Sequence, residues 1–179
     1  MNRKEFLKSA MIAGVAGTST SYAWATPQPL SEPDMQARII RASEGNLLNV
    51  LGDQQTVKLT GKDTNGQFTL IEEENAPGTM IPPHIHENED EVFKVLEGQL
   101  ELTVGDQKTV LNAGDLAFGP RGIPHSWKVV GDKNAKVILS VFPAGIETMF
   151  EALAQLPAGP PDFEKVAEIC ARHNIRFLS

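Results

Sequence analysis

Cysteine is almost absent from this chain: Cys170 is the only one in 179 residues. A single thiol cannot close an internal disulfide, and without paired thiolates the chain is poorly suited to iron–sulfur clusters or soft metals. Basic residues are scarce too, with 16 Lys and Arg against 23 Asp and Glu and a formal charge of −7. No basic patch tracks along the sequence, which argues against nucleic acid or an anionic membrane as partner. The apolar run at Ala10–Gly17 falls well short of the roughly 20 residues that a membrane-spanning helix needs. Also missing is any regular alternation of strand and helix, so a parallel α/β sheet is not expected.

The first 25 residues read as an address. Arg3, Lys4 and Lys8 precede the short apolar run, and Ala23-Trp24-Ala25 has the Ala-x-Ala form of a cleavage site. Arg3-Lys4 resembles a twin-arginine export signal with Lys in the second position; ordinary secretion is the alternative. The expected compartment is the bacterial periplasm or beyond. Cleavage after Ala25 removes three basic residues and one acidic residue, leaving 154 residues with 13 Lys and Arg, 22 Asp and Glu and a formal charge of −9. That length suits one domain with its own core, with no membrane association after signal removal. Residues 26–38, rich in Pro, Ser and Gln at their start, are expected to form an N-terminal arm, 39–143 a β-barrel and 144–179 a helical extension.

Many short β-prone runs separated by glycine turns fill the central region. Strands are expected at Ile39–Ala42, Leu47–Leu51, Thr56–Thr60, Phe68–Glu74, Val92–Leu96, Gln99–Val104, Thr109–Leu111, Leu116–Phe118, Trp127–Val130 and Ala135–Phe142. This is the pattern of an all-β sandwich or barrel. Helical spacing then takes over at Ile146, Met149, Phe150 and Leu153, and Pro157, Pro160 and Pro161 interrupt it. A second helix, capped by Asp162, would carry Phe163, Val166, Ala167 and Cys170 on one face and end near Asn174, with Cys170 a buried core thiol. These helices are expected to pack outside the barrel or across a homodimer contact.

Three of the four histidines lie between Gly78 and His125 in a defined spacing. Gly78 is followed after five residues by His84, after one by His86, after four by Glu91 and after six by Gly98. A second run has Gly114, then five residues, Pro120, one residue, Gly122, two residues and His125. In an extended strand alternate side chains share a face, so His84 and His86 can both point inward. The polar turn at Asn88-Glu89-Asp90 returns the chain so that Glu91 lies beside them. Burying these four polar groups without a cation would be costly, which favours a metal site. The fourth histidine, His173, falls near the end of the last helix, where an imidazole interacts well with the terminal carbonyls.

The two runs resemble the paired motifs of the cupin superfamily, and the text from about residue 45 onward is similar to single-domain cupins described as quercetin 2,3-dioxygenase-like. The first motif matches at every defining position; in the second, Val129 stands where the family commonly has Asn. The resemblance implies a cupin double-stranded β-helix, a jelly-roll barrel, with two short C-terminal helices. It also implies that His84, His86, Glu91 and His125 hold one divalent first-row ion, with open positions for substrate or O2. Ligand type leaves Fe, Mn, Ni, Cu and Zn open. Strand parity places Met80, Phe93, Val95, Trp127 and Val129 around an apolar pocket for a small-molecule substrate. By the same resemblance the reaction is a dioxygenation of a flavonol or another enolisable hydroxy-carbonyl compound, with Glu91 both ligand and proton acceptor. Two alternatives use the same ligands: a non-oxidative isomerase or lyase, and a binding module without turnover.

Overall fold

The structure is a computed structural model that describes residues 35–157 and 159–178. The expected export signal over residues 1–25 and most of the expected arm lie outside the described residues. Among the described residues, eleven strands form two antiparallel sheets. One sheet runs in the order β1 (Asn46–Val50), β2 (Asp53–Leu59), β3 (Thr69–Asn75), β10 (Ala135–Phe142), β5 (Asp90–Glu97) and β8 (Leu116–Gly119). The other runs β11 (Ile175–Phe177), β4 (Met80–His86), β9 (His125–Val130), β6 (Gln99–Val104) and β7 (Gln107–Asn112). The chain crosses between the sheets at β3–β4, β4–β5, β5–β6, β7–β8, β8–β9, β9–β10 and, after the two tail helices, β10–β11, and the result is the jelly roll of a double-stranded β-helix.

Period-two alternation decides which side chains close the barrel. Along β3 the buried positions are Thr69, Ile71, Glu73 and Asn75; along β10 they are Ala135, Val137, Leu139 and Val141. The register aligns Ile71 with Leu139 and Leu139 with Phe93, forming an apolar row across three strands. Burial of each such side chain stabilises the fold by roughly 1.5–3 kcal/mol. At the β5–β6 crossing Gly98 has φ +71°, and a Cβ there would collide with the Asn134 carbonyl oxygen. No other residue type fits that approach without movement of the backbone.

The expected strand at Ile39–Ala42 does not form. The Glu44 amide donates to the Arg41 carbonyl at 3.0 Å and the Arg41 amide to the Glu44 carboxylate at 2.8 Å, so this segment curls into a turn and leaves Ile39 exposed. A one-turn helix, α1 (Gly61–Thr64), was not anticipated; Thr60 and Asp63 cap it reciprocally. The two tail helices do form, as α2 (Ile146–Ala154) and α3 (Phe163–Arg172). Asp162 accepts from the Lys165 amide at 3.3 Å and caps α3, and His173 is its C-cap. The buried face of α3 is Val166, Ile169 and Cys170, whereas Phe163 and Ala167 are exposed. Phe163 is the first residue of the helix and stays exposed.

Glu147 ties α2 to the barrel. Its carboxylate accepts from the Gly61 amide at 2.8 Å, the Gly145 amide at 2.9 Å and the Thr69 hydroxyl at 2.5 Å. Met149, Phe150 and Leu153 of α2, with Val166 and Cys170 of α3, line the cavity that the three clustered histidine and glutamate side chains His84, His86 and Glu91 also face. The helices therefore do more than pack on the outside: they wall an opening between the sheets. Among the described residues no helix is long and apolar enough to cross a membrane.

Candidate metal centre

The two sheets contribute jointly to the histidine cluster. His84 and His86 come from β4 and His125 from the adjacent β9, with His84 opposite His125 in the ladder. Glu91 comes from β5 in the opposite sheet, so the turn at Asn88 to Asp90 brings it beside the histidines by crossing between the sheets. All four side chains are buried, and one donor atom from each lies within 4.8 Å of the others. The loops are braced: Arg121 donates to the Asp90 carboxylate at 2.7 and 3.0 Å, and the Gly122 amide donates to the His86 carbonyl at 2.7 Å. These contacts join the start of the Glu91 strand and the end of the His86 strand to the approach of His125.

Hydrogen bonding orients the rings. Nδ1 of His84 lies 2.9 Å from the Pro82 carbonyl oxygen and Nδ1 of His125 lies 3.1 Å from that of Ile123. Each carbonyl accepts the Nδ1 proton and leaves Nε2 for the centre, as metal-ligating histidines require. In His125, Nε2 also faces Glu91 Oε2 at 2.9 Å. A ring with an acceptor at each nitrogen favours its protonated form, and the Nε2 proton occupies the direction in which a cation would be bound. For His86, Nδ1 is buried without a hydrogen-bond partner, and Glu89 Oε2, equally unpartnered, is 3.5 Å away. A small rotation would let Glu89 accept that proton, giving the acidic turn a role behind the ligand. These donors fit a divalent first-row ion: nitrogen and oxygen ligands, buried, with the outer nitrogens of His84 and His125 directed at backbone carbonyls.

The charges agree with this geometry. Burial pushes the Glu91 carboxyl up, but His86, His125 and His84 together outweigh it and hold the pKa at about 2. Burial lowers His84 to about 4, helped by the neighbouring His125, so its ring is neutral and able to ligate at physiological pH. Burial also opposes charge on His125, yet the bond to Glu91 wins and raises its pKa.

Next to the cluster is a cavity of about 70 Å³. Phe93 and Trp127 line it, in agreement with their parity; Val95 and Val129 are buried in the hydrophobic core and do not reach it. Met80 does not line it and is 52% exposed. The β4–β9 register shifts between Ile81 and His84, which breaks the parity count and turns Ile81 inward in place of Met80. The sequence reading missed β11, whose Phe177 ring centroid is 5.9 Å from that of His84. It also missed Asp53, Gln55 and Glu73, which are polar, buried and part of the same wall.

The cupin domain model matches residues 71–142. A rice germin-like protein 5-1 is 30% identical over 172 residues, covering 87% of this chain and 76% of its own length. The chain belongs to the cupin superfamily. Another cupin relative is quercetin 2,3-dioxygenase of Bacillus subtilis, 31% identical over 116 residues. That match covers 64% of this cupin but 34% of the Bacillus protein, so this chain corresponds to about a third of it. Among solved structures, KdgF from Halomonas sp. has the same fold, with a TM-score of 0.56 and 19% identity over 63% of this chain and 99% of KdgF.

Proposed function

We propose that this cupin is a metal-dependent oxidoreductase, a dioxygenase of a small enolisable hydroxy-carbonyl compound. The observation that carries the reading is the buried set of three imidazoles and one carboxylate opening on a cavity walled mainly by apolar side chains. The relative named as a quercetin 2,3-dioxygenase supports the reaction class. Cavities for drug-sized ligands usually span about 300–1,000 Å³. At about 70 Å³ this one favours substrates smaller than a flavonol.

A divalent ion held by His84, His86, Glu91 and His125 supplies Lewis-acid polarisation of a substrate oxygen. Glu91 is ionised throughout the physiological range and its Oε1 is not engaged by His125, so it can receive the substrate hydroxyl proton. Its low pKa makes it a weak base, so it suits only a hydroxyl whose own acidity has been raised. Phe93, Trp127 and Phe177 exclude water and hold a flat ring against the histidines. We further propose that residues 1–25 direct the chain to the periplasm.

Oxygen consumption by metal-loaded protein on a panel of hydroxy-ketones and hydroxy-pyranones tests the reading. Uptake of O2 in step with substrate loss is expected. Substrate loss without O2 uptake would indicate an isomerase or lyase, and binding without loss a non-catalytic module.

A further inference from the structure

The cavity has a second polar region that the ligand set does not use. Gln55 on β2 stands directly opposite Glu73 on β3 in the ladder, so their side chains form a cross-strand pair on the inner face. Both line the cavity together with His84, His86 and Glu91, and they are 2% and 3% exposed. Gln55 Nε2 donates to Asp53 at 2.7 Å and Asn75 Nδ2 donates to the other Asp53 oxygen at 2.6 Å, which fixes the amide. Gln55 Oε1 is then left buried with no partner. Among the described residues no hydrogen bond is made to the Glu73 carboxyl either. A fully buried polar atom such as Gln55 Oε1 is costly unless a ligand or water satisfies it.

We propose that Gln55 and Glu73 form a second anchoring point for the substrate, one that takes a neutral hydroxyl group at the end of the molecule remote from the metal. This rests on the metal-centre reading given above. Gln55 Oε1 offers only an acceptor. Glu73, buried beside Asp53 and with Glu91 also in range, is held well above the usual carboxylate range by burial and by those two carboxylates. Burial and those two carboxylates therefore favour its protonated form, which donates one proton and accepts one. A hydroxyl complements the pair, since it can accept from Glu73 and donate to Gln55. An anionic group is disfavoured, because Asp53, Glu73 and Glu91 all contribute negative charge or acceptor oxygens. The inferred substrate class is thus a small, uncharged ring or chain with a chelating hydroxy-carbonyl at one end and a hydroxyl at the other.

Three pyranones test this by titration of the visible spectrum of cobalt(II)-loaded protein. Maltol and kojic acid share the chelating hydroxy-ketone, but only kojic acid carries a hydroxymethyl group across the ring; comenic acid carries a carboxylate there. Wild type is expected to bind kojic acid about tenfold more tightly than maltol, the value of one or two neutral hydrogen bonds, and comenic acid more weakly than either. Glu73→Leu and Gln55→Leu should each abolish the preference for kojic acid and leave maltol unchanged. Glu73→Gln keeps a donor and an acceptor and should retain it. Equal binding of kojic acid and maltol, tight binding of comenic acid, or a preference that survives both Leu variants overturns the proposal. So does a cobalt spectrum that none of the three alters, which leaves the metal centre standing. Failure of wild type to take up cobalt overturns the metal reading itself.

Discussion

Glu91 and Glu73 occupy the inner face of the same sheet, and each is 3% exposed. Burial penalises the charge on both, yet one is held ionised at about pH 2 and above and the other is pushed well above the usual carboxylate range. The difference is in what surrounds them. Three imidazoles converge on Glu91, whereas Glu73 faces an amide acceptor and two further carboxylates. One part of the cavity wall therefore suits a cation and another a neutral donor and acceptor. Glu147 adds a third case. It is also buried, but its three donors satisfy it and lower its pKa against the effect of burial, so it joins elements and faces no ligand. Burial alone does not assign a role to a carboxylate; the partners do.

The largest effect should come from the charged end. Glu91→Gln keeps size and one ligand oxygen but removes the proton acceptor, so turnover by metal-loaded protein is expected to fall by roughly 100- to 10,000-fold. Steady-state rates beside measured metal content decide this, and near-normal turnover in a loaded variant would remove the base role. An intermediate effect belongs to the satisfied carboxylate. Glu147→Ala leaves the Gly61 and Gly145 amides and the Thr69 hydroxyl without their acceptor and is expected to cost about 2–4 kcal/mol in denaturant unfolding. A loss below about 0.5 kcal/mol would show that water replaces the carboxylate freely.

The smallest effect concerns Glu73 in metal-free protein. Its folded pKa lies above the unfolded value near 4.5, so the folded state holds the proton more tightly. Stability from this group is fully present below pH 4.5 and is lost as pH rises through the folded pKa. Glu73→Gln, which cannot ionise, should therefore match wild type in thermal midpoint at pH 4 and exceed it by a few degrees at pH 8. A variant less stable than wild type at pH 8 would mean that Glu73 is ionised and paired, and the contrast with Glu91 would fail.

The ligand end was legible in the sequence because it depends on local rules. A one-residue gap within a strand puts His84 and His86 on one face, and the positions of Glu91 and His125 follow from the motif spacing. Strands β1 to β3, β5 to β10 and both tail helices were legible for the same reason, whereas the strand expected at Ile39–Ala42 does not form. Where the chain slips, parity fails: the shift between Ile81 and His84 exchanges Met80 for Ile81. The neutral end was hidden in plain composition. Glu72, Glu73 and Glu74 fall in the expected strand Phe68–Glu74 without standing out as site residues, and the pairing of Glu73 with Gln55 shows that the middle one points inward. Alternation with Ile71 was the available signal. The closure of the cavity by α2, α3 and β11 had no local signal, because three residues at the chain's end form a strand only when β4 is there to pair with them.

Metal titration of the full chain is the most direct measurement of the central claim. Metal-depleted protein, titrated with cobalt(II) or zinc(II) and followed by calorimetry and elemental analysis, is predicted to take up one ion per chain. His86→Ala should bind more weakly by more than the roughly 10- to 100-fold typical of losing an outer hydrogen-bond partner, while its metal-free thermal midpoint stays within a few degrees of wild type. Wild-type protein that binds no ion, or a folded His86→Ala variant that binds one as tightly as wild type, would contradict the account.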